Sequence, residues 1–295
     1  RRNLRPPGGG GVAPAGGGGG VRGGACATGT PGGRPVRWRG GKGGVGGPRR
    51  GGSMFRRILL VTKHTPYESY MQLKNQGKAP VALRWERLKN RHDLHQQCVH
   101  AVRTALTRMG VEYTAITRDE LHRQHLAGCE AVVAVGGDGT VLNTSHFVDD
   151  TVPVLGINSD PTRPEDRQVT KKSDERRSTG ALCALRADNC EALLPDILRA
   201  DSTLISRRTR LRCVVRSTYT ETKLPPALND ILIAHPSPAA VSRFRLVLRH
   251  TDADGAVDED FAFNVWSSGI WLCTATGSSA AMKAAGGGCM DPRSS

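Results

Sequence analysis

The apolar run Val132-Val133-Ala134-Val135 leads directly into Gly136-Gly137-Asp138-Gly139-Thr140, and a mixed stretch over 141–147 follows at once. The run predicts a buried strand, the glycines a tight turn, and 141–147 the start of a helix. Strand, glycine turn and helix together let a backbone approach phosphates closely. Side chains at the glycine positions would block that approach, and freed N–H groups can point at the anion. Asp138 needs a separate account. A carboxylate beside phosphates repels them unless a metal sits between, or unless it faces a hydroxyl about to lose its proton. The same letters also suit an Asp-Gly turn between strand and helix in any α/β protein, so the rest of the chain decides.

Strand-like runs recur at 55–61, 111–116 and 152–157. Lys63-His64-Thr65-Pro66 reads as a turn. Val99, Val102, Leu106 and Met109 keep helical spacing up to Gly110, which ends that helix. Short helices are predicted around 119–125 and over 190–199. Pro153 suggests a strand start or a sheet edge. Alternating strands and helices predict an α/β fold with a parallel sheet, whose ligands bind outside the carboxyl ends of the strands, where the glycine turn lies. Residues 160–180 form a polar loop, read as a solvated charge run, with phosphate contacts by Lys171, Lys172, Arg176 or Arg177 as the lesser alternative. From 204 the texture changes. Runs at 204–216, 227–234, 244–249, 261–266 and 269–274 read as strands without intervening helices, which predicts a β-rich second region. The expected domains are therefore 54–203, α/β with the glycine loop, and 204–295, β-rich.

Charge must be located before it is interpreted. The chain carries a net +15, but residues 1–53 hold ten Lys and Arg and no acid, leaving +5 for the remainder. The same segment holds 22 of the 36 glycines. It cannot bury a core and is expected to be a disordered Gly/Arg-rich tail. Met54, the first methionine, directly precedes a strand-like run, so the tail is read as not native to the mature protein, and nucleic-acid binding is not expected. The eight cysteines form no C-x-x-C pair. Scattered free thiols suit a reducing compartment, and a cytoplasmic location is expected. No apolar run approaches the length of about 18 residues that a membrane span needs.

Two further motifs complete a pattern. Asn229-Asp230 lies inside the apolar run 228–233, where two polar residues need partners. Thr274-Ala275-Thr276-Gly277-Ser278-Ser279-Ala280-Ala281-Met282 joins small polar residues to a helix start, apt for an anion and equally apt for capping. The three motifs, in this order, resemble those of the NAD kinase family, and Pro238 to Phe244 fits as well. The glycine motif alone also resembles diacylglycerol kinases. The resemblance implies phosphorylation of the adenosine ribose 2′-hydroxyl of NADH or NAD, with ATP as donor and a divalent metal, Mg2+, bridging its phosphates. It implies Asp138 as the base and Gly136, Gly137, Gly139 and Thr140 around the phosphates. Asn229 and Asp230 would hold the dinucleotide, with Thr276, Gly277, Ser278, Ser279 and Ala280 on its adenine side. No residue is assigned as a metal ligand. A lipid kinase and a non-catalytic dinucleotide-binding protein are the alternatives.

Departures from the family pattern shape finer expectations. A frequent Leu-Gly-Phe turn is replaced by Gly156-Ile157-Asn158-Ser159-Asp160-Pro161-Thr162, which with Ser178-Thr179-Gly180 resembles the plant NADH kinase branch. Ser268 stands where an Asp is frequent, and Ala281 where a Tyr is usual. Loss of a carboxylate near the nicotinamide suits the uncharged, reduced ring. Family members continue past the third motif and complete the dinucleotide site between subunits of a homo-oligomer, a homodimer. This chain is accordingly expected to be C-terminally truncated in its β-rich domain, poorly soluble, and weakly active or inactive as it stands.

Overall fold

The structure is a computed structural model that describes residues 55–161, 178–200, 205–251 and 257–292. Five parallel strands form its central sheet: β1 (Arg57–Thr62), β2 (Glu112–Thr117), β3 (Ala131–Gly136), β4 (Val154–Asn158) and β5 (Leu185–Arg186), in the order β2-β1-β3-β4-β5. Every residue of β3 is buried, as a strand covered on both faces requires. Alternation assigns the faces. Ile58, Leu60, Val133 and Val135 pack with Val99, Val102, Leu106, Leu194 and Leu198 on one side. Leu59, Val61 and Val132 pack with Leu121 and Val148 on the other.

The connections explain where a site can form. From β1 the chain passes through α1 (Pro66–Asn75) and α2 (Trp85–Arg108) to β2 on one side. It then returns past β1 to β3 on the other. The strand order therefore reverses between β1 and β3, and the crevice outside their carboxyl ends is the usual ligand position in open α/β sheets. The glycine turn opens there, and α3 (Asp138–Ser145) leads on to β4. Pro153 lies just before β4, an interior strand. Its carbonyl accepts from Val132 N–H at 2.9 Å, so the proline marks a strand start.

Two local expectations need correction. Thr65-Pro66 opens a helix: Thr65 caps α1, Pro66 occupies its first turn, and Glu68 closes the capping box. No residue of α1 is buried, so it has no apolar stripe to announce it. The helix expected around 119–125 is instead two short 3₁₀ turns, Arg118–Glu120 and Arg123–Leu126, the first closed by Glu120 on Thr117. The helix over 190–199 is present as α4 (Cys190–Arg199), with Pro195 inside it.

Beyond α4 the described strands pair antiparallel in twos: β6 (Val214–Arg216) with β7 (Glu221–Lys223), β8 (Asp230–Ile233) with β11 (Ile270–Cys273), and β9 (Ser242–Thr251) with β10 (Val257–Ser267). The run expected over 204–216 is regular only from Val214, with Leu211 in a single bridge to Ala227. A short helix, α5 (Ala281–Ala284), follows the third motif. The tail 1–53 and the charged run with Lys171, Lys172, Arg176 and Arg177 lie outside the described residues.

Candidate active site

The three glycines of the turn have different surroundings. A Cβ on Gly136 would come 2.1 Å from Thr140 Oγ1, and one on Gly137 would come 2.7 Å from Ser178 Oγ. Both glycines are thus demanded by the protein's own packing. A Cβ on Gly139 would meet no atom within 4 Å. Gly139 is exposed in the first turn of α3, while Thr140 beside it is buried. Of the three, Gly139 is the glycine that leaves open space for a ligand.

Asp138 starts α3 with its carboxylate held on both oxygens. Oδ1 accepts from Leu182 N–H at 2.8 Å; Oδ2 accepts from Gly180 N–H at 3.0 Å and from the Ser178 hydroxyl at 3.2 Å. A carboxylate offers about four lone-pair sites, so one on Oδ1 remains for a further donor. The backbone N–H of Asp138 donates to Ser178 Oγ at 3.0 Å. That donor of the helix N-terminus is therefore engaged by the protein. Asn158, at the end of β4, supports the arrangement: its Nδ2 donates to Ser178 O at 3.1 Å, and its side chain packs against Gly180, whose φ is +75°. A Cβ at Gly180 would lie 2.6 Å from Asn158 Nδ2.

Behind the turn lies a buried polar set. Ser159 donates to the Gly136 carbonyl twice, from N–H at 2.9 Å and from Oγ at 3.1 Å. Its hydroxyl also meets His95 Nδ1 at 2.9 Å. Burial, and then the Lys63 ammonium, push the His95 imidazolium down to about 4, so this ring is neutral. Arg91 Nε lies 2.7 Å from Asp160 Oδ2. Lys63 follows β1, and its N–H donates to Val135 O at 3.1 Å. Burial holds its ammonium below the usual lysine range, against the opposing pull of Asp160.

The second and third motifs meet through strand pairing. The β8–β11 register sets Asp230 opposite Cys273. Thr274 N–H then donates to Asn229 O at 2.9 Å, and Thr274 Oγ1 donates to Leu228 O at 2.6 Å. Gly277 lies so close to Asn229 that a Cβ would stand 2.0 Å from its carbonyl oxygen. Burial raises the Asp230 carboxyl above its ordinary value. Thr276 and Ser278 are buried, while Ser279 and Ala280 are exposed. Two arginines connect these parts. Arg208 Nη1 donates to Thr276 Oγ1 at 3.1 Å. Arg210 Nη1 donates to the carbonyls of Ser145 and Val148, at 2.7 and 2.8 Å, at the C-terminal end of α3.

Residues 55–160 match the ATP-NAD kinase N-terminal domain. NADH kinase of Arabidopsis thaliana is 40% identical over 240 residues, covering 79% of this chain and 71% of that protein. The chain belongs to the NAD kinase family. Probable NADH kinase of Oryza sativa subsp. japonica is 37% identical over 204 residues; the match covers 68% of this chain and spans 59% of the rice protein. Among solved structures, yeast NADH kinase complexed with NADH has the same fold, with a TM-score of 0.51 at 17% identity, covering 81% of this chain and 64% of that one.

The structure thus brings Asp138, Gly136, Gly137 and Thr140 to the switch point of an NAD kinase fold, and sets Asn229 against Thr274 and Gly277 and Asp230 opposite Cys273. Sequence reasoning missed Arg91, His95, Arg208 and Arg210 as members of this neighbourhood. Arg208 and Arg210 sit in the run 204–216, which reads as a strand and gives no sign of what its arginines touch, and α2 shows only its apolar stripe to a periodicity search. Ser178 and Asn158 stood out as departures from the family pattern, without any sign of what they touch.

Proposed function

We propose that this chain phosphorylates the adenosine ribose 2′-hydroxyl of NADH or NAD with ATP, giving NADPH or NADP. The observation that carries the reading is the Asp138 carboxylate, fixed at the switch point with one acceptor position left on Oδ1, beside the open space at Gly139. The dinucleotide kinases among the relatives favour this acceptor over a lipid. In the reaction the 2′-oxygen forms a bond to the γ-phosphorus while the bond from that phosphorus to the bridging oxygen of ADP breaks. The hydroxyl donates to Asp138 Oδ1 and gives up its proton late. A weak base suffices, because phosphoryl transfer proceeds through a loose transition state and depends chiefly on positioning.

The donor substrate is Mg-ATP. Among the described residues no three His, Cys, Asp or Glu side chains form a group suited to a metal, and three of the lone-pair sites of Asp138 are already taken. The described residues do not make a metal cage. The ion belongs with the phosphates, as is usual for Mg2+. Gly139 admits the phosphate chain, while Gly136, Gly137 and Thr140 shape the turn beneath it. Asn229 and Asp230 hold the dinucleotide's ribose, and Thr276, Gly277, Ser278, Ser279 and Ala280 line its adenine side. Ser268 and Ala281 favour the reduced ring. The exposed apolar side chains Leu232, Phe263 and Trp266 support a homodimer. The described cysteines are free thiols, which supports a cytoplasmic location, and none of the described helices is long and apolar enough to cross a membrane.

The test is incubation of the chain with Mg-ATP and either NADH or NAD, following the 2′-phosphorylated product, with light scattering on the same preparation for the dimer. NADH is expected to be the better acceptor. Folded protein that binds NADH without forming product would mark a non-catalytic binding protein and overturn the reading.

A further inference from the structure

We propose that Ser178 is a positioning residue for phosphoryl transfer, acting through Asp138. The proposal rests on the kinase reading above. Gly137, the N-cap residue of α3, has no side chain to satisfy the helix's first N–H groups. Ser178 satisfies the first of them from 40 residues away: its Oγ accepts from Asp138 N–H at 3.0 Å, and also from Gly180 N–H at 3.3 Å, and its O–H donates to Asp138 Oδ2 at 3.2 Å. Two accepted bonds and one donated bond saturate the hydroxyl. A single hydroxyl therefore fixes both the backbone and the carboxylate of Asp138. Gly137 is the partner that permits it, since any Cβ there would collide with Ser178.

Two consequences follow for the reaction. The Ser178 hydroxyl stands where an anion would sit on the N-terminus of α3, so the transferring phosphate is directed to the open side at Gly139. With Oδ2 holding two donors and Oδ1 one, the free lone pair that accepts the substrate hydroxyl is on Oδ1. Ser178 touches neither substrate. It sets which oxygen of Asp138 is available and how far that oxygen can swing.

The experiment is steady-state kinetics with Mg-ATP and NADH on wild type, Ser178→Ala, Ser178→Cys, Asp138→Asn and the double variant Ser178→Ala with Asp138→Asn, each checked for folding by thermal melting. Misplacement of a reacting group by about 1 Å costs up to about 100-fold. Ser178→Ala is expected to lower kcat about 10- to 100-fold, with KM for both substrates within about threefold. Ser178→Cys keeps a γ atom against Gly137 but is a weak hydrogen-bonding group, so it is expected to behave like the alanine variant. It also carries the test if the alanine variant fails to fold. In the Asp138→Asn background the serine substitution is expected to cost nothing further, because residues acting as a unit are not additive. Near-wild-type kcat in Ser178→Ala, restoration by Ser178→Cys, or a double-variant loss equal to the product of the single losses would each overturn the proposal. Folded wild type that forms no product would instead overturn the kinase reading, and full turnover by Asp138→Asn would remove the aspartate from it. Either result takes the Ser178 role down with it.

Discussion

An ionised carboxylate only accepts hydrogen bonds, and Asp138 has three N–H or O–H groups aimed at its two oxygens. An asparagine there turns an NH2 group towards donors. Asp138→Asn is therefore expected to lower stability by about 1–3 kcal/mol in urea titrations. It is also expected to lose roughly 10²–10⁴ in turnover as the proton acceptor disappears. A variant with full turnover would exclude that role. His95 gives a pH signature. Its folded pKa of about 4 lies below the ordinary 6.5, because burial and the nearby Lys63 ammonium oppose the charged form. The unfolded chain takes up a proton that the folded protein refuses. The stabilisation is complete above about pH 6.5 and is lost as pH falls towards 4, by up to about 3 kcal/mol. His95→Gln is expected to flatten the stability difference between pH 7 and pH 4.5. Equal slopes in the two proteins would show that this ring is not the source.

At the scale of elements, α3 shows how one short helix serves two demands. Its glycines divide by what stands opposite them, and substitution is expected to separate stability from activity. Gly139→Ala fills open space and removes a helix-destabilising glycine, so stability should rise by up to about 1 kcal/mol while kcat/KM for ATP falls. Gly136→Ala drives a methyl into the Thr140 hydroxyl and should cost about 1–3 kcal/mol. Paired thermal melts and ATP kinetics check both. Loss of stability in Gly139→Ala would mean that the space beside it is not free. The helix is also anchored at its far end, where Arg210 meets two carbonyls in the region of the negative dipole end.

For the whole molecule, Arg208 and Arg210 are the link that matters. One segment holds the C-terminal end of α3 with Arg210 and the third motif with Arg208. The helix that begins with Asp138 and the residues proposed to hold the dinucleotide are thus tied by two guanidinium groups. Hydrogen bonds from charged groups contribute about 1.5–3 kcal/mol each, so Arg210→Ala should lower stability by about 1–3 kcal/mol. It should also raise KM for the dinucleotide more than KM for ATP. Equal effects on the two substrates would show that the tie does not place one site against the other.

Sequence alone was enough for the parallel sheet, the strand–turn–helix at 131–145, the β-rich texture after residue 204 and the order of the three motifs. These are local signals: a doubly buried strand must be apolar at consecutive positions, as Leu59, Leu60 and Val61 are, and a turn without room for Cβ must be glycine. Helix α1 escaped because capping, and not burial, defines it. Tertiary structure decided everything that depends on partners distant in sequence. Only packing shows that Gly136 and Gly137 face protein while Gly139 faces space. Only strand register brings Asp230 to Cys273 and so Asn229 to Gly277. The pairing of Ser178 with Asp138 and of Arg210 with Ser145 spans 40 and 65 residues. A hydrogen bond across such a separation leaves no periodicity in the chain, because its geometry exists only once the sheet has brought its two ends together.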